Sequence, residues 1–370
     1  MKKVEIAFSK EKEINSIIND LKSQIGSFDA KLIQFYASSN IDPQKISEHI
    51  YKSFGNVPTI GCSTSGEIIS GQMLDNSVVL MAMGSEIIED CKIEVLTNIK
   101  TDSSVVDKAF DSFSTYYKGD MATLDPEKYV GIVLIDGLSG KEEAINERIG
   151  DLTNITFVGG SAGDDLKFEK TYLYANGQTY TNAAVLALIK SKVKFDVIKT
   201  QSFKSTNKRC VITKAEESSR TVIEINGKPA VEEYASLIGI EKNNVSKAFS
   251  KHPVGLVFQE DFFVRSPQRT EDDKIFFYCS IKEGMELELL ESQDIIEQTK
   301  KDLQAKIKEF GSISAIINFN CILRTIELNK KNQENAYGQL FKDIPTIGFS
   351  TYGESYIGHI NQTATMLVFK

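Results

Sequence analysis

The chain has 370 residues, 41% of them hydrophobic and 25% charged, with a formal net charge of -8. This is the composition of a globular protein with room for two domains, and the acidic balance disfavours nucleic acid and anionic lipid surfaces as partners. Five scattered cysteines without a Cys-x-x-Cys spacing argue against a disulfide framework and a zinc knuckle.

The opening MKKVEIAFSKEKEIN has two lysines but lacks the apolar segment of a secretory signal. The longest apolar runs, SVVLMAM and AAVLALI, have strand length, far short of the about twenty residues that span a bilayer. A cytoplasmic protein without its own anchor is expected. KLIQFYAS (31–38) reads as a buried strand and DPQKISEHIYKSFG as a polar segment of helical length. PTIGCSTSGEI (58–68) reads as a strand ending in Gly-x-Ser, and NSVVLMAMG, opened by Asn76, as a further buried strand.

The order then recurs. YVGIVLIDG (129–137), KEEAINERIGDLT, ITFVGGSAGDD (155–165) and NAAVLALIK, opened by Asn182, make a second copy. SAIINFNC (314–321), ILRTIELNKKNQENAYGQLFK, PTIGFSTYGES (345–355) and NQTATMLVFK, opened by Asn361, make a third. The second copy has the longer loop, and Ala162 where the others have Thr64 and Thr351. A strand–helix–strand crossover makes its two strands parallel, and the next strand can return antiparallel. The expected fold class is therefore α/β, with mixed sheets built from repeated strand–helix–strand–strand units.

From about residue 200 to 310 the pattern breaks. TVIEINGKPAVEEYASLIG reads as a strand, an Asn226-Gly227 turn and a helix from near Pro229. HPVGLVFQEDFFVRSP and KIFFYCSIKEGMELELLE read as alternating strands, and DIIEQTKKDLQAKIKEFGS as an amphipathic helix closed by Gly311. A boundary in the polar KAEESSR stretch gives two packed α/β domains, 1–215 and 216–370.

The repeated Gly-x-Ser loops carry most of the candidate chemistry. Cys62, Ser63, Thr64, Ser65 and Glu67 in the first copy, Ser161 in the second, and Ser350, Thr351, Tyr352 and Glu354 in the third stand at strand ends, where open α/β sheets build ligand crevices. Such hydroxyls also bond their own turns. Arg265 in FVRSP and Arg324 in NFNCILR can clamp a carboxylate, and Glu67 and Glu354 can hold an ammonium. Together they suit a zwitterion such as an amino acid, and equally an internal salt bridge; Asn320 and Asn361 add amides with the same two readings. Gly159 to Gly163 matches the Gly-x-Ser-x-Gly of a nucleophile elbow, with His252 or His359 as base, but the elbow needs a helix directly after the serine and the continuation is acidic and then strand-like. The histidines, His49, His252 and His359, lack metal-ligand spacing, so no metal site is expected. Haem needs one axial ligand, which His252 or His359 could supply; His49 lies on a polar helix.

PTIGCSTSGEI, FVGGSAGDD, VITKAEESSRTVIEINGKPAVEEYASLIG, HPVGLVF, FVRSP, NFNCILR, and GFSTYGE followed by HINQT, in that order, resemble the FIST sensory family with its N-terminal and C-terminal FIST domains. The resemblance covers nearly the whole chain. It implies an intracellular sensory module, found alone or joined to outputs such as histidine kinases and cyclic-dinucleotide enzymes; the sequence shows no complete catalytic constellation, so no enzymatic activity is expected. It also implies a small ligand, with amino acids among the suggestions, and for some members haem-based nitric-oxide sensing. No kinase, receiver or cyclase region is recognisable, so the output is expected from a separate signalling protein. The leading expectation is a stand-alone small-ligand sensor; a haem nitric-oxide sensor and a serine hydrolase are the alternatives.

Overall fold

A computed structural model describes residues 2–258 and 261–370. The first copy runs β1 (Val4–Ser9), α1 (Ile14–Ile25), β2 (Ala30–Ser38), α2 (Pro43–Ser53), β3 (Thr59–Thr64), the hairpin β4 (Glu67–Ile69) and β5 (Gln72–Leu74), then β6 (Val78–Gly84). Helix α2 starts where the sequence signals it: Pro43 opens the first turn and the Asp42 carboxylate accepts the Lys45 N–H. The second copy runs β7 (Ile88–Thr97), α3 (Val105–Tyr117), β8 (Tyr129–Ile135), α4 (Glu142–Leu152), β9 (Phe157–Ser161), the hairpin β10 (Leu173–Ala175) and β11 (Gln178–Tyr180), then β12 (Ala183–Ser191).

After β13 (Phe195–Gln201) comes an inserted body. It contains β14 (Phe203–Glu216), β15 (Thr221–Ile225), β16 (Lys228–Pro229), α5 (Ala230–Ile238), α6 (Val245–Ala248), β17 (Val254–Phe258), β18 (Asp261–Arg265), β19 (Pro267–Glu271), β20 (Lys274–Phe277) and β21 (Glu286–Ser292). Its strands form one sheet in the order β18-β17-β21-β14-β15-β20-β19, with β16 paired to β15. Asn226 and Gly227 make the expected left-handed turn, at φ 53° and 75°. Gln259 and Glu260, part of the strand-rich run in the sequence, lie outside the described residues.

Helix α7 (Ile295–Phe310) follows, closed by Gly311 at φ 77°. The third copy is β22 (Ala315–Cys321), α8 (Ile322–Lys330), α9 (Glu334–Gln339), β23 (Thr346–Thr351), the hairpin β24 (Glu354–Tyr356) and β25 (His359–Ile360), then β26 (Thr363–Phe369).

The compact units depart from the linear division at 215/216. One comprises Met1–Lys199, Lys300–His359 and Ala364–Lys370; the other comprises Thr200–Thr299 and Ile360–Thr363. The third copy thus folds with the first two, and the chain between them is an excursion. The reason lies in the sheets. In each copy the crossover strands are parallel, β2 with β3, β8 with β9 and β22 with β23, and the last strand returns antiparallel on the first. Each sheet is then completed by a hairpin from another copy: β10–β11 on β3, β24–β25 on β9, and β4–β5 on β23. The exchange is cyclic, so no copy completes its sheet alone.

The inner faces of the three sheets share one core, including Tyr36, Ile60, Met81, Ile132, Val158, Val185, Phe319, Phe349 and Phe369. Outer faces are covered by helices: Ile17, Leu21, Ile46 and Ile50 of α1 and α2 on the first sheet, Phe110, Phe113 and Ile145 of α3 and α4 on the second. The second unit has its own core, including Ile212, Val222, Tyr234, Phe249 and Leu289.

Candidate functional site

Register across the crossovers fixes the equivalence of Gly61, Gly159 and Gly348, which face Phe35, Val133 and Asn318. Their φ angles are ordinary. What requires glycine is backbone approach: a Cβ would stand 2.1, 1.7 and 2.1 Å from the carbonyl oxygens of those three partners. Two residues on, Ser63, Ser161 and Ser350 are all fully buried. Their N–H groups donate to the carbonyls of Tyr172, Gly353 and Gly66, at 2.8, 2.9 and 2.8 Å, and their own carbonyls accept from Gly163, Tyr352 and Ser65, at 2.9, 3.3 and 3.3 Å. Six backbone hydrogen bonds therefore close a ring through the three loops. This is the first reason for the repeated line: it is the interlock of the hairpin exchange.

The hydroxyls differ from copy to copy. Ser63 Oγ donates to the Gly163 carbonyl and accepts the Tyr172 N–H, and Ser65 Oγ accepts the Asp165 N–H. Ser350 Oγ lies 2.7 Å from Thr325 Oγ1. Ser161 Oγ has no hydrogen-bond partner among the described residues. Thr351 Oγ1 lies 2.8 Å from the carbonyls of Ser161 and Gly353. Glu67 is fully buried and accepts from Thr64 Oγ1, Ser77 N and Ser77 Oγ. Burial outweighs those bonds and raises its pKa to about 8, which weakens it as an ammonium holder. Burial, with Glu67 nearby, also pushes the Cys62 thiol well up, which disfavours the thiolate that a nucleophile needs. Glu354, also fully buried, is the register equivalent of Glu67, while the second copy places Leu173 there.

In the second copy the longer loop winds about Asp164 instead. Its carboxylate accepts the N–H groups of Phe168, Glu169 and Lys170 and the Tyr352 hydroxyl. Burial opposes ionisation, but these bonds outweigh it and hold the carboxyl below its ordinary range. Tyr352 also stacks on Phe168, with ring centroids 5.2 Å apart. Residues 162–172 contain no helix, so Ser161 lacks the element that a nucleophile elbow requires.

The symmetry breaks on the outer face of the third sheet. Where the first two copies place Phe35 and Val133, then Ala37 and Ile135, the third places Asn318 and Asn320, both fully buried. Helix α8 starts directly after β22 and brings in Arg324, only 2% exposed. Arg324 Nε donates to Asn320 Oδ1 at 3.0 Å, and its guanidinium carbon lies 5.9 Å from the centre of the Tyr337 ring. Tyr337 hydroxyl donates to Asn320 Oδ1 and accepts from Asn318 Nδ2; Asn320 Nδ2 donates to Thr325, which meets Ser350. The sequence reading picked Asn320, Arg324 and Ser350 and missed Asn318, Thr325 and Tyr337. The signal for Asn318 was present as two asparagines, two residues apart, in an otherwise apolar strand.

Residues 31–228 match the FIST N domain and residues 230–356 the FIST C domain. The chain belongs to the FIST family. FIST domains are associated with signal-transduction sensing. The junction of the two FIST matches falls within the inserted body, so both contribute to both compact units. The chain is also similar to an uncharacterized protein of Methanocaldococcus jannaschii, 26% identical over 296 residues, which are 74% of this chain and 56% of that relative. It thus spans little more than half the relative's length.

Of the remaining expected residues, Arg265, His252 and Asn361 belong to the second unit and His359 to the first. In the second unit, Arg265 is half-buried at the end of β18, next to Ser266, whose hydroxyl donates to Gln362 Oε1 at 2.6 Å. His252 Nδ1 lies 3.3 Å from the Leu290 carbonyl. Asn361 is buried and neither amide atom has a partner among the described residues. The left-handed residue equivalent to Asn76 and Asn182 is Gln362, not Asn361, so the alignment of the third copy shifts by one. In the first unit, the buried His359 ring packs on Gly353, where a Cβ would stand 2.2 Å from Cε1. No helix among the described residues is long and apolar enough to cross a membrane.

Proposed function

We propose that this FIST protein is a sensor that binds a small carboxylate-bearing metabolite, such as an amino acid, at the polar face of the third copy. Occupancy passes to a signalling protein of the histidine-kinase or cyclic-dinucleotide class. The observation that carries the reading is the broken symmetry: three related sheets, two with apolar outer faces and one with Asn318, Asn320 and Arg324 buried at the same depth. Burying a guanidinium is costly, and well-packed apolar residues serve stability at least as well. The sister copies show that this fold tolerates apolar residues there. A planar guanidinium beside an amide at the C-terminal end of a crossover strand is suited to bidentate recognition of a carboxylate.

The test is a thermal-shift and calorimetric panel of amino acids and small dicarboxylates on the parent and Arg324→Lys, which keeps the charge and loses the fork. At least one carboxylate compound is expected to stabilise the parent, with affinity about tenfold weaker or more in the variant, equivalent to about 1.4 kcal/mol. Stabilisation that survives Arg324→Lys unchanged, or none from any carboxylate, refutes the reading.

A further inference from the structure

The hairpin exchange offers a second internal comparison. The three hairpin tips, Ser70-Gly71, Asn176-Gly177 and Ile357-Gly358, are equivalent by register. Two are covered by the helix of the copy that receives them. At the first tip, Gln339 of α9 donates to the Gly71 carbonyl at 2.9 Å, and a Cβ on Gly338 would stand 2.7 Å from Gln72 backbone. At the second, the Tyr51 ring of α2 lies 3.0 Å from where a Gly177 Cβ would be, and Ser47 bonds the Gln178 carbonyl.

The third tip is open. Asn146 of α4 bonds Ser355 at the base of the hairpin, but Ile357 beyond it is 75% exposed. Counted back from the helix end, the place of Tyr51 is taken in α4 by Gly150, which has open space within 4 Å of its Cβ position. The result is a cleft of about 490 Å3 between α4 and the tip, lined by Ile149, Gly150, Phe157 and Ile357 and by the carboxylates of Glu147 and Asp151. No lysine or arginine is among the described residues lining it, although Arg148 of the same helix reaches Asp151 at 3.7 Å from outside the cleft.

Ile357 is also conformationally costly. It sits at φ 51°, where the second tip uses Asn176 at φ 49°. A β-branched residue in the left-handed region is an outlier that costs on the order of 1–3 kcal/mol. Strain and exposure at one apolar residue, beside a cleft that a tyrosine fills in a sister copy, mark a docking point.

We propose that the cleft between Gly150 and Ile357 docks a segment of a partner protein by an aromatic side chain, which takes the place Tyr51 holds in the first copy, flanked by lysine or arginine facing Glu147 and Asp151. The aromatic follows from the sister copy, and the basic flank from charge complementarity. The proposal does not depend on which ligand the third copy binds.

The test is selection of phage-displayed random dodecapeptides on the full chain, with synthetic copies then measured by fluorescence polarisation. Enriched peptides are expected to carry Trp, Tyr or Phe beside Lys or Arg. They should bind Ile357→Asp and the self-filling Gly150→Tyr about tenfold more weakly or worse. Ile357→Asn, which gives the tip the residue of its sister, should lose binding while melting at or above the parent temperature, and so separates lost docking from lost folding. Absence of enrichment, peptides without an aromatic, or equal binding to all three variants overturns the proposal. So does sedimentation showing a parent dimer that Ile357→Asp converts to monomer, because the occupant would then be a second copy of this chain.

Discussion

Gly159 is the sharpest test of the ring. An alanine Cβ there would stand 1.7 Å from the Val133 carbonyl oxygen and 2.7 Å from its carbon, both backbone atoms of the parallel neighbour β8. Ordinary contact begins near 3.4 Å, so the strands must part by more than an ångström, and no flexible side chain can absorb the difference. Parting them sacrifices crossover hydrogen bonds beside Ser161, worth about 1 kcal/mol each, on top of overpacking of about 1–3 kcal/mol. Gly159→Ala should therefore destabilise the first unit by about 3 kcal/mol or more, lowering its melting transition by roughly 6 °C or more. Gly150→Ala is the control: the Cβ meets nothing within 4 Å, and the α4 interior gains up to about 1 kcal/mol in helix propensity. Scanning calorimetry of both variants reads the transitions directly. If Gly159→Ala melts within about 1 °C of the parent, close approach is not what the repeated glycine provides.

Two further outcomes follow from single residues. Glu67 titrates near 8 in the folded chain and near 4.5 unfolded, so between those values the native state holds a proton that the unfolded chain has released. Stability should fall as pH rises through this window, by at most about 1.4 kcal/mol per pH unit, and Glu67→Gln should remove that component; parallel pH profiles of melting temperature for parent and variant would contradict it. Tyr352→Phe keeps the stacking on Phe168 but removes the hydroxyl that accepts the Leu166 N–H at 2.8 Å and donates to Asp164. Hydrogen exchange over 164–170 should lose about 1–2 kcal/mol of protection with the rest of the first unit unchanged; unaltered protection in that loop would show that Tyr352 does not hold it.

Local order was legible and non-local order was not. The three crossovers, the Asn226-Gly227 turn and α7 each leave a short-range signature, in apolar periodicity or turn chemistry, that a single stretch suffices to read. Hairpin exchange leaves none. Nothing in EII at 67–69 says that its partner is Phe349 rather than a neighbour in its own copy, so the division of the chain into units could not be read either. The long apparent helix before PTIGFST breaks between α8 and α9 at Asn332, a left-handed residue whose role composition alone does not reveal. At the site, the repeated hydroxyls drew the eye because they recur, whereas Asn318 and Tyr337 matter because they do not.

In a chain built by copying, what all copies share serves what all copies must do, which here is to close the ring; what one copy alone carries is free to serve something else. The third copy differs from its sisters twice, in the polar face around Arg324 and in the uncovered tip at Ile357. The two are joined by one stretch of backbone. Ser350, in contact with Thr325 beside Arg324, lies on β23, and the chain runs from it through Thr351 and the ring into β24 and the tip. A rearrangement of the Arg324 network would act on β23, the strand that leads through the ring to β24 and the Ile357 tip. The ring ties β23 and β24 by backbone hydrogen bonds to the other two copies, so a contiguous hydrogen-bonded route runs from the Arg324 network to the tip.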